Sequence, residues 1–142
     1  MKNNGGTFRA LGRTVVTATL LAAMATSSAA ETVEVDLKHQ RELCGLDNGE
    51  ACAQLAHHLL KLPDHERYLV EAASAYDKAC ALKVIWACNN IGDQFFYGKY
   101  GRQKDLIRAV GYFQIGCKAK NGYACSRLHE ITAEIGGHDD AP

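Results

Sequence analysis

Several features are missing from this sequence, and each absence removes a class of function. The 142 residues carry no net charge, with 16 Lys and Arg against 16 Asp and Glu, so the chain has no electrostatic footprint for nucleic acid. No Cys-x-x-Cys occurs among its six cysteines. Zinc sites want cysteines about two to four apart, and dithiol redox catalysis leans on the same motif, so both lose support. The serines beyond residue 30, Ser74 and Ser126, are followed three residues on by Asp77 and His129, which leaves out the Ser-x-x-Lys of serine β-lactamases. His57, His58 and His65 form no His-x-His-x-Asp cluster. Neighbouring histidines on a helix point roughly 100° apart and chelate poorly together, and this places His57 on the exposed side and His58 beside the core. No metal or cofactor is expected. Nor does any stretch alternate with period two over strand length, which argues against a sheet.

The first thirty residues differ from the rest. Lys2, Arg9 and Arg13 precede an apolar or small run over 14–25, and Ser28 and Ala30 hold the small-residue positions of a cleavage site before Glu31. This pattern predicts a signal peptide over 1–30 and a secreted or periplasmic protein. The run is shorter than the roughly twenty apolar residues of a membrane-spanning helix, so no span is expected once it is removed. A mitochondrial presequence is the rival, with the intermembrane space as destination. The run is apolar all round and not amphipathic, which favours secretion. Beyond residue 30 the chain has 13 basic and 16 acidic residues and all six cysteines, in a setting where disulfides are favoured.

The cysteines measure out a repeat. They stand at Cys44 and Cys52, Cys80 and Cys88, Cys117 and Cys125, always eight apart within a pair, and the pairs recur after 36 and then 37 residues. Ala51-Cys52, Ala87-Cys88 and Ala124-Cys125 match at the second cysteine, while Tyr76 to Cys80 and Tyr112 to Cys117 match before the first. Such self-similarity is the mark of a repeat architecture. Between the cysteines the apolar period is helical. One set of stripes runs through Ala51, Cys52, Leu55, Ala56, Leu59 and Leu60, through Cys88, Ile91, Gly92, Phe95 and Phe96, and through Ala124, Cys125, Leu128, Ile131 and Ile135. Another runs through Leu69, Ala72, Ala73, Tyr76 and Ala79, then Leu106, Ala109, Val110 and Phe113. Leu62-Pro63-Asp64 and Gly98-Lys99-Tyr100-Gly101 are breaker compositions at the joints.

The pattern predicts an all-α fold, a short right-handed α-solenoid of disulfide-stapled helix hairpins over 31–135. Its units run about 44–79, 80–116 and 117–135, the last a capping helix, and 136–142 form a disordered tail. Six cysteines allow fifteen pairings in principle, but a repeat whose every copy carries the same local pair favours 44–52, 80–88 and 117–125.

The stretch from Ala87 through Asn90, Ile91, Gly92, Phe95 and Gly98, then Asp105, Ala109, Tyr112, Phe113, Gly116 and Cys117, resembles the Sel-1-like repeat, a relative of the tetratricopeptide repeat. With cysteine pairs eight apart it resembles the cysteine-rich secreted bacterial branch, in which consecutive helices are disulfide-linked. The likeness covers about 44–135 and is strongest in the central copy. The joint Gly98 to Gly101 is one residue longer than the family's, Pro63 takes over the turn in the first copy, and His129 stands where Gly92 stands.

Three functions are in view. Stacked helix pairs expose a concave face, on which Gln54, His57, Lys61, Trp86, Asn90, Asp93, Tyr97, Tyr123, Arg127, Glu130 and Glu134 lie opposite the apolar stripes. That face predicts a binding module, with Trp86 and Tyr97 as aromatic anchors; packing over the corner is the other role open to Trp86. The resemblance implies a periplasmic or secreted adaptor for a protein or a peptidoglycan peptide. The resemblance alone implies a penicillin-binding, weakly β-lactam-hydrolysing enzyme, and no catalytic residues are assigned for it. A mitochondrial leader would instead suit an intermembrane-space assembly factor.

Overall fold

A computed structural model describes residues 32–34 and 36–136. The expected leader, 1–30, lies outside them, as does the expected tail, 136–142, except Gly136, which is the last residue of a helix. The chain divides between Asp36 and Leu37; the described residues of the first unit, 32–34 and 36, are helical.

The second unit is built around three corners of identical design. In each, the first cysteine is the last residue but one of its helix, and a residue three places on turns left-handed: Asp47 at φ 61°, Lys83 at 70° and Lys120 at 62°. The amide of that residue donates to the carbonyl of the first cysteine, as Asp47 to Cys44, Lys83 to Cys80 and Lys120 to Cys117. The next amide reaches back one residue further, from Asn48 to Leu43, Val84 to Ala79 and Asn121 to Gly116. This pair of bonds is the Schellman ending of a helix, which satisfies carbonyls that would otherwise be orphaned. The following helix starts at once, and its fourth residue is the second cysteine. Disulfides Cys44–Cys52, Cys80–Cys88 and Cys117–Cys125 close the corners with Cα separations of 4.6, 4.8 and 4.6 Å. Fixing so short a loop in the unfolded chain is worth about 2–3 kcal/mol per bridge.

The helices follow from these corners. Helical backbone over 37–45 opens the unit as α1, followed by α2 (Gly49–Leu59), α3 (Leu69–Ala81), α4 (Ile85–Tyr97), α5 (Leu106–Lys118) and α6 (Gly122–Gly136). The described residues contain no strand, and none of their helices is long and apolar enough to cross a membrane. Asn48 and Asn121 cap α2 and α6 by accepting from the amides of Ala51 and Ala124. Val84 offers α4 no such bond; its methyl instead occupies the space beside Gly49, where a Cβ would lie 2.9 Å from it. Lys78 of α3 closes the first corner from outside, its Nζ donating to the Cys44 carbonyl at 2.7 Å and pairing with Asp47 at 2.8 Å.

From α2 to α6, each helix packs chiefly on its neighbours in sequence, and the core between them holds Leu59, Tyr76, Ile91, Phe113 and Ile131 fully buried. Helices approach closely where side chains vanish. A Cβ on Gly92 would stand 2.9 Å from the Phe113 ring, and one on Gly116 would collide with the Asn89 side chain and Ala124. The two joints differ. The first passes through Pro63 into a 3-10 turn, His65–Tyr68, whereas the second turns left-handed at Gly98, Tyr100 and Gly101. The sequence stripe of α6 is only partly covered: Ala124 and Ile131 are buried, Leu128 is half-buried and Ile135 exposed, because no later described helix lies over it.

Two measurements test the corners. Lysine in the left-handed region is disfavoured by about 1–2 kcal/mol, of which glycine returns part to unfolded-chain entropy. Lys83→Gly and Lys120→Gly should therefore each stabilise by about 0.5–1 kcal/mol, raising Tm by several degrees for a domain of this size, with Asp47→Gly gaining less because Asp tolerates this conformation better. The sulfurs of Cys52 and Cys88 belong to fully buried residues, while Cys117 and Cys125 are both half-buried. Limiting reductant without denaturant, followed by alkylation and peptide mapping, should label Cys117 and Cys125 first; earlier labelling at Cys44 or Cys80 would contradict this order.

Candidate functional site

A groove of about 280 Å³ opens between α2 and α4. Helical spacing assembles it. His57, Leu60 and Lys61 stand one turn apart at the end of α2 and just beyond it, while Asn90, Asp93, Gln94 and Tyr97 stand one turn apart along α4. Tyr76 of α3 forms the floor, and Lys99 and Tyr100 of the second joint close one side.

Its polar groups are held in place from behind. Arg102 donates its Nε to Gln94 Oε1 at 3.0 Å and its Nη2 to Asp77 at 2.9 Å, with the guanidinium 4.9 Å from the Phe95 ring centroid. Gln94 is 5% exposed, and its oxygen being taken, the amide nitrogen is what it offers the groove. Asn90 is the reverse case: its Nδ2 donates to the Trp86 carbonyl at 2.8 Å, which leaves Oδ1 as an acceptor. Tyr76 is 1% exposed. Burial foremost, and then the neighbouring Tyr100, push its pKa well above the ordinary 10.0, so it stays a neutral hydroxyl.

The charges are uneven. Lys61 and Lys99 form no ion pair with a described residue, and the Lys99 Nζ rests 4.8 Å from the Tyr97 ring centroid. The one carboxylate lining the groove, Asp93, accepts from the Tyr123 hydroxyl at 2.7 Å and lies 3.6 Å from Arg127 Nε. Burial first, then the bond to Asp93, raises the Tyr123 pKa to about 12. Arg127 stands over the Phe96 ring, 4.2 Å from its centroid, and holds Glu130 at 2.6 Å. The anionic side of the groove is thus spent inside the molecule, and its cationic side is open.

Of the residues expected on the binding face, the groove gathers His57, Lys61, Asn90, Asp93 and Tyr97. Tyr123, Arg127 and Glu130 form an adjoining cluster through Asp93. Gln54 is exposed and donates to Glu50 within its own helix, and Glu134 reaches Lys104 at 3.8 Å. Trp86 does not line the groove. Its ring meets His57 and Tyr76 edge-on, both at 6.1 Å, and its Nε1 donates to Glu50 at 3.1 Å, so it braces the wall. Leu60, Tyr76, Gln94, Lys99 and Tyr100 were not anticipated. The apolar stripes assign Leu60 and Tyr76 to the core, and the breaker composition of 98–101 assigns Lys99 and Tyr100 to a turn. Ser74 and Ser126 are exposed and lie outside the groove.

The two histidines exchange the roles expected of them. His57 is half-buried against Trp86, and His58 is exposed beside Gln40, its Nδ1 3.0 Å from Gln40 Nε2. Burial, then Lys61 and then His58, hold the His57 pKa below the ordinary 6.5. Folded protein therefore takes up this proton less readily than unfolded protein, and stability falls as pH drops through 6.5 toward the folded value. A ring-proton NMR titration should put the His57 midpoint below 6.5, and Lys61→Gln should move it upward.

No protein-family model matches the chain, and no curated protein matches it in sequence.

Proposed function

We propose that the protein is a secreted or periplasmic relative of the Sel-1-like repeat proteins, a short right-handed solenoid closed by α6 as its cap. It acts as an adaptor that binds a protein segment or cell-wall peptide in the groove between α2 and α4. The observation that carries this reading is the gathering of His57, Lys61, Asn90, Asp93 and Tyr97 from two helices into one concavity, with Tyr97 53% exposed at its edge. Such an aromatic is well suited to anchor a partner. Bridges confined to the corners agree with an oxidising compartment, and repeated corners at a step of 36 and 37 residues agree with a repeat array. A molecule this size offers one partner about 800 Å².

Affinity capture from periplasmic extract with the oxidised protein tests it. Tyr97→Ala should lower the recovered partner about tenfold, the effect of losing about 1.4 kcal/mol, while Ser74→Ala, on an exposed part of α3 away from the groove, should change nothing. Undiminished capture by both Tyr97→Ala and Lys61→Gln would remove the groove from the function. Recovery of exported protein beginning at Glu31 would support the leader.

A further inference from the structure

We infer that the groove between α2 and α4 recognises the free C-terminal carboxylate of an extended peptide whose last side chain is apolar. This rests on the reading of the groove as a peptide site and specifies its ligand.

Two donors at the floor lack partners. The Tyr76 hydroxyl, on a side chain 1% exposed, makes no hydrogen bond with a described residue, and the Gln94 amide nitrogen is left over once Arg102 has taken the oxygen. Both residues line the open groove and neither atom is sealed from solvent, so a ligand acceptor would take the place of water on them. Lys61 and Lys99 add positive charge at the mouth with no described carboxylate to balance them, and Asp93 is already held by Tyr123 and Arg127. Donors below and cations above suit an anion, and charge-assisted hydrogen bonds are the stronger kind.

The remaining groups choose among anions. Asn90 lines the same groove and keeps its Oδ1 as an acceptor, which a phosphate or sulfate would not use but the N–H of a terminal peptide residue would. Leu60, Tyr97 and Tyr100 supply an apolar wall for its side chain. A volume of about 280 Å³, near the lower bound of about 300 Å³ for ligand pockets, accommodates a chain end better than a folded surface. Carboxylate, N–H and one side chain are the three features of a peptide's last residue.

Fluorescence anisotropy with the oxidised protein tests this, using a labelled pentapeptide Gly-Ser-Gly-Ser-Leu with a free C-terminus, the same peptide as its C-terminal amide, and an amidated peptide ending in Glu. The free acid should bind about tenfold more tightly than its amide, as expected for loss of a charge-assisted pair, and binding should weaken with salt. Tyr76→Phe removes a hydroxyl that has no partner, so it should leave Tm unchanged or raised while weakening the free acid toward the amide; Lys61→Gln with Lys99→Gln should do the same. Equal binding of acid and amide, both lost in Tyr97→Ala, would overturn the carboxylate assignment and keep the groove. Amidated Glu peptide binding as well as the free acid would overturn the chain-end assignment. Binding of none of the three peptides, or binding indifferent to every groove variant, would overturn the proposal outright.

Discussion

Everything in this molecule depends on the closed corner. A helix that ends with a left-handed residue three places after a cysteine, and restarts at once, brings the fourth residue of the next helix within disulfide distance. Hydrogen bonds and the covalent bridge then impose the same turn, so the angle between consecutive helices is set locally and does not wait for the core. This matters because the helix faces are rich in alanine: Ala72, Ala75 and Ala79 on α3 and Ala51, Ala53 and Ala56 on α2 bury little area each. Small side chains allow close packing but contribute modestly, and the bridges make up the difference by restricting the unfolded chain.

With the corners fixed, the groove follows from what lies opposite them. The end of α2 and the outer turns of α4 present residues at the same spacing because both helices begin at the same distance from a bridge, and Tyr76 reaches the floor from the helix between them. Arg102 does the positioning. One guanidinium spans Gln94, Asp77 and the Phe95 face, joining α3, α4 and the second joint, and thereby determines which end of the Gln94 amide meets solvent.

The architecture of the corners was legible in the sequence because covalent spacing and helical period are both local signals. Cysteines eight apart, with a matching alanine before each second one, lead to the observed bridges without reference to any distant contact. The site was legible only in part. Counting round a helix placed Asn90, Asp93 and Tyr97 on one face, yet it assigned the inward place to His58 when His57 holds it; that is decided by Trp86, 29 residues beyond His57 in the chain and in contact with it through space. Tyr76 was correctly legible as apolar packing, but a stripe of hydrophobic positions does not reveal where a hydroxyl at its edge emerges. Gln94 was invisible for the opposite reason, since a polar residue on a buried helix face has meaning only once its partner Arg102 is seen. Ile135 looked like core because its period fits, and stays exposed because a period does not supply a covering helix.

The corners and the joints divide the labour unequally. A bridged corner has its length fixed by the bond between its sulfurs, whereas the joints on the other side carry no covalent link and already differ from each other in composition and conformation. Lys99 and Tyr100 belong to such a joint. Insertion or replacement there would alter the wall of the cavity while leaving the spine intact, so the groove of such a chain can be reshaped through its least constrained segment.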